Sequence, residues 1–131
     1  MESTRTARDY MATDVVALKP ETELHRAMRV LLDNDISGAP VVDGQGNLVG
    51  LLTEKDCFTA AFEASYHREL TGAVSQYMTT SVETMGAETE IVEVVERFLH
   101  SRYRRFPVVV DGRLVGQISR RDVLRALEDL W

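Results

Sequence analysis

Gly46–Asp56 reads GNLVGLLTEKD, and sixty-six residues further on Gly112–Asp122 reads GRLVGQISRRD. Each phrase opens on a turn glycine and crosses a short apolar run. It ends in a hydroxyl residue, Thr53 or Ser119, followed three positions later by an aspartate, Asp56 or Asp122. Working outward, Tyr10 falls over Tyr77, and YMATDVVALKPETEL meets YMTTSVETMGAETEI at an offset of 67. That register holds to the PVV of Pro40–Val42 and Pro107–Val109. The first copy then carries one extra loop residue, and the offset becomes 66. Over residues 10–42 and 46–62, 17 of 50 aligned pairs are identical. Unrelated sequences of ordinary usage would share about three. The chain is an internal duplication. Two copies are too few for a solenoid, so they are expected to pack on each other about a pseudo-twofold axis.

Bulk properties bound the answer. The chain has 131 residues, 44% hydrophobic and 27% charged, enough for a real core in one domain or two small halves. No apolar run approaches a membrane span, and MESTRTARDYM lacks the apolar stretch of a secretory signal. The lone Cys57 cannot form an internal disulfide and suits a reducing cytoplasm, the expected location. A net charge of −6 argues against nonspecific binding to nucleic acid or membranes, although Arg102–Arg105 (RYRR) is a local basic patch.

Each copy predicts the order β-α-β-β-α, an α/β (α+β) fold. A short extended piece, Val15–Leu18 or Val82–Met85, leads in. A helix follows, with Leu24, Ala27, Met28, Leu31 and Leu32 on one stripe, repeated as Ile91, Val94, Val95, Phe98 and Leu99. Thr22 and Thr89 are read as N-terminal caps of these helices. Two apolar runs form a hairpin, closed in the second copy by Asp111-Gly112 and in the first by the looser DGQGN. A closing helix covers residues 54–64 and 120–130. The predicted divisions are a tail at 1–9, repeats at 10–64 and 77–131, and a partly helical connector at 65–76 with Gly72 as a break.

Tyr-Met-x-Thr-x-Val before each copy, PVV opening each hairpin and LVG-x-[LI]-[TS]-x-x-D closing it resemble the CBS domain. The whole chain from Tyr10 to Leu130 resembles a tandem CBS pair, or Bateman module. The resemblance implies two clefts between the copies, one or both of which take an adenosine ligand: AMP, ADP, ATP or S-adenosylmethionine. It implies no required cofactor and frequent dimerisation. It places nucleotide contacts at Ser119, Asp122, Arg105, Arg104, Ile36, Ser37 and Val15 for a stronger site, and at Thr53, Asp56, Tyr103 and Val82 for a weaker one.

The chemistry of those positions is coherent. A hydroxyl residue at a strand-to-helix junction stands beside free backbone N–H groups and the positive helix end, which favour phosphate. An aspartate one turn in can accept ribose hydroxyls. Arg105 is a bidentate phosphate partner, whereas its counterpart Gly38 is not. Tyr103 can stack on a base or pack under the helix. Gly50 and Gly116 leave room for a ligand or a neighbouring backbone. The same Thr53/Asp56 and Ser119/Asp122 pairs also resemble helix capping boxes, and both readings stay open.

His25, His67 and His100 have no metal-ligand spacing with Cys57, and no phosphate-loop, dinucleotide or nucleophile-elbow motif occurs. Cys57 reads as a packed residue rather than a nucleophile. The expectation is a regulatory, non-enzymatic nucleotide sensor acting on an unidentified protein partner or through its oligomeric state. The alternative is a dimerisation or scaffold module with vestigial clefts. A homodimer is expected through Phe58, Phe62, Leu124 and Leu127.

Overall fold

The computed structural model describes residues 4–67 and 69–131. Residues 1–3 of the expected tail and residue 68 of the expected connector lie outside the described residues. No helix among the described residues is long and apolar enough to cross a membrane.

The chain forms two compact units. One is Val16–Val82, and the other joins the leading segment up to Val15 to Glu83–Trp131. In the first, β1 (Gly38–Val42) and β2 (Leu48–Thr53) form an antiparallel hairpin. Leu18 bridges Val41 in parallel and Thr79 bridges Leu51 antiparallel. In the other, β3 (Met85–Gly86) runs parallel to β4 (Arg105–Val110), which pairs antiparallel with β5 (Arg113–Ser119). Ala12 bridges Gln117 at the far edge of that sheet. Each hairpin therefore shares a sheet with the extended piece that leads its own repeat, in keeping with the β-α-β-β-α order.

Helices α2 (Leu24–Asp33) and α3 (Glu54–His67) cover the first hairpin, and α5 (Ile91–Leu99) and α6 (Arg120–Leu130) the second. Their inward stripes join the strands in two separate cores. Leu24, Leu31, Val41, Leu52 and Ala60 lie in one, and Met85, Val94, Phe106, Val108 and Ile118 in the other. Burying a side chain of that size stabilises by about 1.5–3 kcal/mol. The last stripe positions do not follow. Leu32 and Leu99 remain 69% and 76% exposed.

The compact units cut the chain elsewhere than the sequence repeats, because the leading segments exchange. Residues 4–9, expected as a tail, are docked: α1 (Ala7–Tyr10) buries Ala7 completely, and the Ala7 amide donates to the Thr89 carbonyl at 2.9 Å. The connector mirrors this with α4 (Val74–Tyr77), whose Val74 amide donates to the Thr22 carbonyl at 2.8 Å. Gly72, at φ +113°, supplies the expected break before it.

The observed helix starts correct the reading of Thr22 and Thr89 as caps. The N-cap residues are Glu23 and Glu90, and neither helix has a side-chain cap. The first helical amides instead find backbone carbonyls, Leu24 donating to Gly72 and Ile91 to Arg5, each at 3.0 Å. Thr22 and Thr89 each stand one residue before the N-cap, out of reach of the cap role, and Thr22 Oγ1 accepts instead from the Lys19 amide at 3.3 Å. The hairpin reading holds. Asp111 and Gly112 take φ of +50° and +80°, the two positive angles a tight twisted hairpin turn requires.

Helix α2 stops in a Schellman arrangement. Ile36 donates to the Leu31 carbonyl at 3.0 Å and Asp35 to that of Leu32 at 3.2 Å, with Asp35 at φ +53°. Ile36 packs on the first core, so this expected ligand contact also serves the helix end.

Candidate functional site

Both strand-to-helix junctions are closed capping boxes. At the second, the Ser119 amide and hydroxyl donate to Asp122 Oδ2 at 2.8 and 3.0 Å, and Ser119 Oγ accepts from the Asp122 amide at 3.2 Å. At the first, the Thr53 amide and hydroxyl donate to Asp56 Oδ2 at 2.9 and 3.0 Å, with the return bond to Thr53 Oγ1 at 3.2 Å. Two donors are satisfied reciprocally, so these residues define the helix starts whatever else they do.

The expectation of several free amides at these helix ends is corrected. The Arg120 amide donates to the Arg104 carbonyl at 3.1 Å, and the Glu54 amide to the Ser37 carbonyl at 2.9 Å. The third helical amide, of Asp122 or Asp56, is held by the cap hydroxyl. Only the second, of Arg121 or Lys55, lacks an acceptor among the described residues. An anion arriving here meets one backbone donor and whatever side chains surround it.

Those surroundings differ between the copies. Arg105 stands directly opposite Ser119 across the β4–β5 pair, where facing residues share one side of the sheet. Gly38 occupies the matching place opposite Thr53. Arg104, Arg105, Arg120 and Arg121 are all exposed, and none makes an ion pair among the described residues. The equivalent positions of the first copy are Ser37, Gly38, Glu54 and Lys55. Val15 shares the compact unit of Ser119, Asp122, Arg104 and Arg105, and Val82 that of Thr53 and Asp56. Ile36 and Ser37 belong to the unit of Thr53, and Tyr103 to that of Ser119. Tyr103 is 43% exposed and meets the buried Phe106 edge-on at 5.6 Å, so it packs while keeping a free face.

Two neighbours of the aspartates were not expected from sequence. Arg125 Nη2 pairs with Asp122 Oδ1, in a contact whose carboxylate side chain is only 10% exposed. A helical spacing of three residues was a usable signal for it. Thr79, carried in on the exchanged segment, places its hydroxyl 3.4 Å from both oxygens of Asp56. No local pattern announces that contact.

Gly50 and Gly116 make room for backbone, not only for a ligand. A Cβ on Gly116 would lie 2.8 Å from the Ala12 carbonyl oxygen, and one on Gly50 3.0 Å from that of Thr79. Cys57 is buried in the first core, and burial, with the charges of Asp56 and Glu54, pushes its thiol pKa up. A thiol held protonated is a poor nucleophile. No group of three His, Cys, Asp or Glu among the described residues is arranged to hold a metal ion.

Comparison with known proteins agrees with this geometry. The family model of the CBS domain matches twice, at residues 7–63 and 74–129. The uncharacterized protein MJ1225 of Methanocaldococcus jannaschii is 29% identical over 95% of this chain, and inosine-5'-monophosphate dehydrogenase of the same organism is 32% identical over 95%. The chain spans 43% and 24% of those two proteins' own lengths. Among solved structures, CBSX2 in complex with AMP superposes with a TM-score of 0.80 at 27% identity, covering 95% of this chain and 97% of that one.

Proposed function

Because the chain belongs to the CBS domain family, we propose that it is a regulatory module that binds an adenine nucleotide and transmits its presence to a partner protein or to its own oligomeric state. The observation that carries this reading is Arg105 facing Ser119, with Arg104, Arg120 and Arg121 near the same helix start and without an ion pair among the described residues. Four exposed arginines, each without an ion pair among the described residues and borne on the two segments that meet at this helix start, suit a phosphate in a chain of net charge −6. That a 27% identical structural relative is seen with AMP supports the choice of ligand. In this reading Ser119, Asp122, Arg104, Arg105 and Val15 serve the stronger site. Thr53, Asp56 and Val82 serve the weaker.

Titration calorimetry with AMP and with adenosine tests it. Arg105→Ala is expected to weaken AMP binding about tenfold, the scale of one lost charge-assisted hydrogen bond, while adenosine binding stays unchanged. Equal losses for both ligands would remove Arg105 from the phosphate. No heat with either ligand would end the nucleotide reading.

One observation favours a second reading. Both hydroxyl–aspartate pairs are internally satisfied as caps, as a ligand-free scaffold would require. In either case the module is read as a homodimer. Phe58, Phe62 and Leu124 are 69%, 67% and 64% exposed on the closing helices, beside Leu32 and Leu99. Leu127 is half-buried and contributes less than expected. A twofold interface would cover this apolar surface. Sedimentation is expected to show twice the 14.7 kDa chain mass at micromolar concentration, and a lone 14.7 kDa species would exclude the dimer.

A further inference from the structure

Resting on the nucleotide reading of the Ser119–Asp122 turn, we infer that Arg125 gates that site: its guanidinium holds the carboxylate oxygen that a ribose hydroxyl needs, and a ligand must displace it. Asp122 has two oxygens. Oδ2 already accepts from the Ser119 amide and hydroxyl, which fills its ordinary capacity. Oδ1 is the remaining acceptor, and Arg125 Nη2 takes one of its two lone pairs, so an incoming hydroxyl competes with the guanidinium for this oxygen. The Asp122 side chain is 10% exposed, so little of the carboxylate is reachable past that guanidinium.

The duplication supplies an internal control. The residue matching Arg125 in the first copy is Thr59, whose hydroxyl donates to the Lys55 carbonyl at 3.2 Å. Asp56 has no cation within ion-pair distance among the described residues. Its Oδ1 receives only the Thr79 hydroxyl, at 3.4 Å. One aspartate is buried and paired with an arginine, and its twin is half-buried with no cation on it, so the twin's Oδ1 is the more accessible to a ligand hydroxyl.

The size of the effect follows from exposure. Arg125 is 58% exposed, so the contact is screened by water on one side. Ion pairs of that kind shift equilibria by up to about fivefold. They weaken as salt shortens the screening length from about 30 Å at 0.01 M to about 3 Å at 1 M. Ligand selectivity follows as well. A phosphate-bearing ligand is drawn to the neighbouring arginines and can open the contact. Adenosine, uncharged, must open it unaided.

The test uses the full chain carrying Asp56→Ala, which leaves the second-copy site to be read by calorimetry with adenosine and AMP. Adding Arg125→Gln is expected to tighten adenosine about three- to fivefold. Adding Arg125→Lys should stay near the parent, because an ammonium re-forms the pair. Raising salt from about 0.02 M to about 0.5 M should tighten adenosine in the parent and leave Arg125→Gln flat, a response that a purely structural arginine would not give. Unchanged or weaker binding of both ligands in Arg125→Gln, with parent binding measurable, overturns the gate and leaves the nucleotide reading standing. Absence of binding in the parent and in every variant overturns both.

Discussion

Replacing Asp122 with alanine is expected to weaken AMP binding tenfold or more and to lower the stability of the fold by about 1 kcal/mol. The first effect is the loss of a carboxylate as ribose acceptor. Hydrogen bonds to charged groups contribute about 1.5–3 kcal/mol, and 1.4 kcal/mol is tenfold in affinity. The second is the loss of a cap, because the carboxylate holds both the amide and the hydroxyl of Ser119. Asp122→Asn separates the two effects. The amide oxygen can still accept from the Ser119 amide, so the helix start survives while the charge is gone. Asp56→Ala is expected to cost less AMP affinity, since Glu54 and Lys55 follow Thr53 where Arg120 and Arg121 follow Ser119. Calorimetric stoichiometry and affinity decide it. Equal losses at Asp56 and Asp122 would make the sites equivalent, and unchanged affinity in Asp122→Ala would leave Ser119 and Asp122 as a cap alone.

Gly116→Ala is expected to destabilise the protein by about 2–3 kcal/mol, near the upper end of overpacking costs. Its Cβ would stand 2.6 Å from Met11 Sδ and 2.8 Å from the Ala12 carbonyl oxygen. The methionine can move, but the carbonyl cannot move freely. It accepts from Gln117 at 2.9 Å while the Ala12 amide donates back at 2.8 Å, so retreat breaks the bridge that docks the leading segment. Gly50→Ala should cost about 1–2 kcal/mol, because the backbone oxygen it meets lies slightly farther off, at 3.0 Å. Gly44→Ala, with nothing within 4 Å, should change stability by less than about 0.5 kcal/mol and serves as the control. Urea unfolding measures all three. A Gly116→Ala protein as stable as the parent would mean that the leading segment is not held against β5.

Much of the fold and of the site is legible in the amino-acid sequence alone. The duplication, the β-α-β-β-α order, the Asp111-Gly112 turn and the pairing of Ser119 with Asp122 are short-range or periodic features. Their causes lie within a few residues: alternation for strands, a three-to-four spacing for helices, positive φ for a twisted turn, and a side chain reaching its own helix start. Arg105 opposite Ser119 is not among these features: the Asp111-Gly112 turn alone would set Arg105 against Ile118, and a β-bulge between Val108 and Val109 shifts the register by one residue to bring Ser119 there.

What only the tertiary structure decided depends on contacts between residues far apart in the chain. Nothing near Thr22 or Thr89 shows that the helix amides after them are taken by the carbonyls of Gly72 and Arg5. Nor does the sequence around Gly116 say that Met11, more than a hundred residues away, lies on it. The docked segments satisfy the first helical donors, and the helices begin one residue after the threonines read as caps. The same holds for the amides at the two strand-to-helix junctions, the first of which go to the Arg104 and Ser37 carbonyls. A backbone donor takes whichever acceptor the packed chain brings within about 3 Å, and packing, not sequence neighbourhood, chooses it.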